Sequence, residues 1–109
     1  MELLRITDLP DDPLQAAARF HAEIVATLPR DTDLLLVFLP ADHTHRGWRA
    51  AAIEALARAH VPRRINAVAS ENADAIASAL AYLARADGLT GQYLPLDDAG
   101  AGPVIRSAA

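Results

Sequence analysis

The sequence predicts an α/β fold, a parallel sheet of about four strands with three helices in the order β-α-β-α-β-α-β. Two observations carry this. Leu34 to Leu39 is an apolar run without polar alternation, the pattern of a strand buried on both faces of a parallel sheet. On either side of it, segments with helical apolar spacing and capping residues alternate with further short apolar runs, and strictly alternating strand and helix signals indicate βαβ units.

The elements follow in order. Leu3 to Ile6 reads as the first strand. Asp12 is suited to cap a helix and Pro13 to its first position, and Leu14, Ala17, His21, Ile24, Val25 and Leu28 repeat at helical spacing as its expected inner stripe. Pro29 and Asp31-Thr32-Asp33 break that helix before the strand Leu34 to Leu39, which stops at Pro40. Asp42 or Thr44 can cap a second helix over about Arg46 to Ala59, and Val61-Pro62 ends it before the strand Ile65 to Ala69. Ser70 is the expected cap of a third helix, Glu71 to Ala86, striped by Ile76, Leu80 and Leu83. Gly88 and Gly91 mark the turn into a last strand, Gln92 to Leu96. Its Pro95 cannot donate to a ladder and so belongs at a sheet edge. Residues 1–98 make one domain, and 99–109, with Gly100, Gly102 and Pro103, read as a flexible tail.

A sequential strand order would place all three helices on one face if every crossover were right-handed. The run Leu34 to Leu39 needs cover on both faces, so a 2-1-3-4 order, with the first helix opposite the other two, is the expectation. Association with a partner is the rival solution.

Composition narrows function. The net charge of −4 gives no cationic footprint for nucleic acid or an anionic membrane. There are no cysteines, so thiolate metal sites and disulfides are excluded. No long apolar run suggests a membrane span, and a cytoplasmic location is expected.

The last third carries a resemblance. Arg64-Ile65-Asn66-Ala67-Val68-Ala69, the helix after it, and Thr90-Gly91-Gln92 running on to Asp97 resemble the "RVNAVAPG", "IA..v.yLaS" and "TGQ.l.vDGG" segments of the short-chain dehydrogenase/reductases. The resemblance implies a small Rossmann-like domain, truncated relative to that family. Aligned on Ala51 to Arg58, which resembles the family's "AALEALTR", the positions of the catalytic Tyr-x-x-x-Lys pair hold Arg46 and Ala50. The glycines follow no strand-to-helix turn of the Gly-x-x-x-Gly-x-Gly kind that cradles a pyrophosphate. The family's Pro-Gly after "NAVA" is Ser70-Glu71. The resemblance therefore implies framework without the family's catalytic set or bound nucleotide cofactor.

Among the remaining residues, His43-x-His45 with Arg46 and Trp48 lies in the loop after the buried strand, where parallel α/β folds place ligands. Two histidines can bind a metal or supply a base. No cysteine or carboxylate set apart from Asp42 completes such a site, so no catalytic, cofactor or metal residue is assigned. Asp8, at another strand end, joins His43, His45, Arg46 and Trp48 as a possible ligand loop. Its rival role is to cap the loop before the first helix. Asp97-Asp98 reads as solvated, and Arg58, His60, Arg63 and Arg64 as a basic patch paired with surface carboxylates.

The resulting expectation is a non-catalytic relative of those reductases that acts by association, as a homodimer or with a full-length reductase. Ala51, Ala55 and Ala59 form a stripe at i, i+4, i+8 on the second helix suited to close helix packing, unless they pack against the third helix of the same chain. An oxidoreductase or dinucleotide-binding protein with an altered site, and a small-ligand-binding module, are the alternatives.

Overall fold

A computed structural model describes residues 1–96; the expected tail and Asp97-Asp98 lie outside the described residues. Strands β1 (Glu2–Ile6), β2 (Leu34–Phe38), β3 (Ile65–Ala69) and β4 (Tyr93–Pro95) alternate with helices α1 (Pro13–Arg19), α2 (Arg46–Ala59) and α3 (Ala73–Arg85). All four strands are parallel and lie in the order β1-β2-β3-β4. Pro95 sits on the edge strand, as its missing N–H requires.

This order overturns the expected 2-1-3-4 arrangement. The chain covers both faces by another route. Leu34, Leu36 and Phe38 share one core with Phe20, Ala52, Ile53 and Leu56, whereas Leu35 and Val37 pack with Ile76 and Leu83 of α3. The first two helical connections thus lie on one face and α3 on the other, so the β3-α3-β4 crossover has the opposite hand to the two before it. Right-handed crossovers are the near-universal rule, which makes this last one the exception. The side-chain pattern of β2 demanded two covered faces but did not say which connection would supply the second.

Asp12 caps α1, its carboxylate accepting from Gln15 N–H at 2.9 Å, with Pro13 at the first helical position. The helix continues as a wider π turn over Phe20–Ile24 and a 3₁₀ turn over Val25–Thr27. Its buried residues are Ala16 and Phe20, followed by Leu28 just after it, while Leu14 is 82% exposed and His21 is exposed. Ile24, Val25 and Leu28 of the expected inner stripe do reach the core, whereas in its first turns the sheet-facing line runs through Ala16 and Phe20 instead of Leu14, Ala17 and His21.

Asn72, not Ser70, caps α3, accepting from Ala75 N–H at 2.9 Å. Ser70 is buried and its hydroxyl accepts from Asn72 N–H, so it fixes the cap one step removed.

The residues that carry the family resemblance form one hydrogen-bonded unit. The Arg64 guanidinium donates to Leu83, Ala84 and Ala86 carbonyls at the C-terminus of α3 and to the Asp33 carboxylate beside β2. Asn66, fully buried, donates to Leu89 O and accepts from Gln92 N–H, both at 3.0 Å. Thr90 Oγ1 accepts from Ile65 N–H. Gly91 has φ +79°, and a Cβ there would stand 3.4 Å from Ala57 Cβ, so the turn passes close over α2 with a backbone that favours glycine.

Candidate functional site

Because the strands are parallel and in register, Ile6, Phe38, Ala69 and Pro95 end together at one edge of the sheet. Such an edge is where open α/β sheets form ligand crevices. Two clefts open there on the side of α2. The first, about 120 Å³, is bounded by the loops after β1 and β2 and lined by Asp8, Leu9, Phe38, Leu39, His45 and Arg49 among others. The second, about 220 Å³, lies between the β2 loop and β4 and includes Asp42, His43, Arg46 and Tyr93.

Of the five residues expected to share a loop site, four are divided between these clefts and Trp48 lines neither. Asp8 and His45 line the first, and His43 and Arg46 the second. Trp48 is half-buried in an aromatic cluster, its ring centroid 5.5 Å from Phe20 and 5.8 Å from Phe38. Asp8 adopts φ +62°, a left-handed conformation that Asp tolerates better than most residues, and Arg19 Nη1 donates to its carbonyl at 2.7 Å. Its carbonyl, rather than a capping carboxylate, is what anchors this loop.

His45 is committed to structure. Trp48 Nε1, which can only donate, points at His45 Nδ1 at 3.0 Å, so Nδ1 accepts. Nε2 lies 2.8 Å from the Asp11 carbonyl and must donate. Both ring nitrogens are therefore used in tying the β1 loop to the start of α2. A 3₁₀ turn, His43–His45, leads into that helix, with Asp42 accepting from both the N–H and the hydroxyl of Thr44. Those bonds, the hydroxyl's first, hold the Asp42 carboxyl below its usual range. No three His, Asp or Glu side chains converge to hold a metal among the described residues.

Of the expected basic patch, Arg64 pairs with the Asp33 carboxylate as expected, Arg58 and Arg63 stay exposed, and His60 is withdrawn from it. Arg64 lies in the framework described above, and His60 is 5% exposed with Nε2 3.3 Å from Arg30 Nη1. Burial first, and the Arg30 charge second, push His60 below the usual imidazole value.

Arg49 is the residue that the sequence reading missed. It is only 5% exposed, its Nη1 donates to Leu39 O at 2.9 Å and to Tyr93 Oη at 3.1 Å, and its guanidinium carbon lies 4.6 Å from the Phe38 ring centroid. The signal was present. Arg49 precedes Ile53 by four residues and Ile53 precedes Ala57 by four, so it belongs to the inner line of α2.

A family model described as short chain dehydrogenase-like protein, SDR-like, matches residues 4–96. No curated protein and no solved structure matches the chain.

Proposed function

The chain belongs to the short chain dehydrogenase-like family, and on that premise we propose that it works without hydride transfer, through association of the outer face of α2 with a second copy or with a full-length reductase. The observation that carries this is the exposure of Ala51, Ala55 and Ala59. The third helix, which could have covered them, packs on the opposite face of the sheet. Small side chains at i, i+4 and i+8 let a second helix approach closely. Glu54 and Arg58 flank the stripe, both exposed and neither in an ion pair among the described residues. Across a two-fold axis, Glu54 of one copy meets Arg58 of the other, the self-complementary arrangement an isologous contact needs. Val61, 73% exposed just beyond the helix, extends the apolar rim.

Ala55→Arg is expected to convert a dimer to a folded monomer in light scattering, with helical circular dichroism unchanged. An exposed helical position accepts arginine with little effect on folding, whereas a close helix pair cannot bury it unpaired. A wild type already monomeric at high micromolar concentration, and not retained by a full-length reductase, contradicts the proposal.

The absence of hydride transfer rests on the chain's own residues. Arg46 and Ala50 occupy the positions that the resemblance gives to tyrosine and lysine. The helix starts that follow β1 and β2 are occupied by the chain's own carboxylates, Asp12 and Asp42, which oppose a pyrophosphate where a nucleotide site would attract one. Calorimetric titration with NAD(H) or NADP(H) is expected to give no saturable heat into the millimolar range; low-micromolar binding refutes this half of the proposal.

A further inference from the structure

We propose that the cleft between the β1 and β2 loops binds a small organic carboxylate carrying a hydroxyl or ammonium group, with Arg49 as its anchor. This is separate from the association surface, since Ala51, Ala55 and Ala59 are exposed on the outside of α2 and Arg49 is buried on its inside.

A guanidinium stays protonated in any protein environment, and Arg49 is 5% exposed. The acceptors it reaches, Leu39 O and Tyr93 Oη, are neutral, and both are served by Nη1. Its Nε is buried with no hydrogen-bond acceptor among the described residues, and no carboxylate there forms an ion pair with it. Ring contacts with Phe38 at 4.6 Å, Trp48 at 5.9 Å and Tyr93 at 6.0 Å offset part of the cost of burying such a charge but give Nε no acceptor. Arg64 provides the contrast within the same chain: although half-buried, its guanidinium has Asp33 at 3.1 Å and three helix carbonyls. A structural clamp in this protein is thus fully paired, and Arg49 is not. A carboxylate beside it would supply both the countercharge and acceptors for its planar fork.

The cleft that Arg49 lines suits such a ligand in shape and chemistry. At about 120 Å³ it admits only a few non-hydrogen atoms. Phe38, Leu39 and Ile6 give it an apolar wall, and two acidic residues, Asp8 and Asp11, belong to its lining. Those carboxylates repel a multiply charged anion such as a phosphate ester. They favour a ligand with one negative end toward Arg49 and a donor at the other. The Asp8 backbone is fixed by Arg19 in its left-handed conformation, and backbone held in a sparsely populated region is commonly found at ligand sites.

The test is a nuclear magnetic resonance titration of the full chain with glycolate, acetate and inorganic phosphate, each at constant ionic strength set with sodium chloride. Glycolate is expected to produce saturable shifts at the Arg49 Nε–H and the amides of Asp8 and Leu39; acetate should bind more weakly and phosphate should not saturate. Arg49→Lys, which keeps the charge but loses the fork, is expected to weaken glycolate by about tenfold. Should that variant unfold, Ala41→Phe fills the rim from an exposed position and is expected to abolish the shifts while circular dichroism is kept. The proposal is overturned if glycolate gives no saturable shift into the tens of millimolar, if phosphate binds as well as glycolate, or if folded Ala41→Phe binds like wild type.

Discussion

Replacing Arg64 by alanine is expected to destabilise the fold by about 2–4 kcal/mol, measured as a shift of the urea midpoint at neutral pH. The side chain is 14% exposed and joins three places that are distant in the chain: the loop just before β2, the start of β3 and the C-terminus of α3. Truncation removes the side-chain donor from Asp33 Oδ2 and Ala84 O and the charged second donor from the Leu83 and Ala86 carbonyls, which keep the backbone N–H groups of Ala86 and Leu89. Charged hydrogen bonds contribute about 1.5–3 kcal/mol each when shielded, and partial access of water lowers the sum to the range given. Arg64→Lys should recover less than half of the loss, because an ammonium cannot span Asp33 and the helix end together.

A pH signature accompanies this. The Arg64 backbone N–H first, then its guanidinium, lowers the Asp33 pKa below the ordinary 3.8. A carboxylate with a depressed native pKa adds stability that is complete above the unfolded value and is lost as pH falls through the lower native one. Wild type should therefore lose this increment as pH drops through and below 3.8. In Arg64→Ala the same slope should shrink without vanishing, since the backbone donor at 2.8 Å remains. An alanine variant within 0.5 kcal/mol of wild type, the scatter expected of an unremarkable surface change, would show that the network is incidental.

How much of this was legible beforehand depended on whether a signal was local. The bounds of α2 and β3 follow from capping, apolar content and the Val61-Pro62 break, and the structure keeps them at Arg46–Ala59 and Ile65–Ala69. Strand order was not local. Nothing in the β3-α3-β4 segment marks the hand of its crossover, and only the packing of Ile76 and Leu83 against Leu35 and Val37 reveals it. The paired histidines looked like ligands because spacing does not show what each ring faces; His45 faces Asp11 and Trp48, and His43 faces another cleft. Arg49 was hidden by the habit of assigning charged residues to the solvent side of a helix. Its position relative to Ile53 and Ala57 contradicts that habit, and burial confirms the contradiction.

The framework residues of the family resemblance were legible in order and spacing, and Asn66 shows why they are required together. Its side chain has no solvent exposure and binds both ends of the turn into β4, donating to Leu89 O and accepting from Gln92 N–H. β4 has only three residues and a proline, so its own ladder is short: Ala67 N–H donates to Gln92 O and Gly91 N–H to Ile65 O at its start. Asn66→Leu keeps the volume and removes both side-chain bonds, taking the partner from two backbone groups of a partly buried turn. The expected loss is about 2–4 kcal/mol, concentrated at the sheet edge. Hydrogen exchange should therefore find the amides of Ala67, Gly91 and Leu94 deprotected in the variant, with those of β2 still slow, because β1 and β2 pair over five residues without any contribution from Asn66. If β4 remains as protected as in wild type, the turn holds itself and Asn66 merely fills space; if β2 and β4 lose protection equally, the sheet is a single cooperative unit and the local account of Asn66 fails.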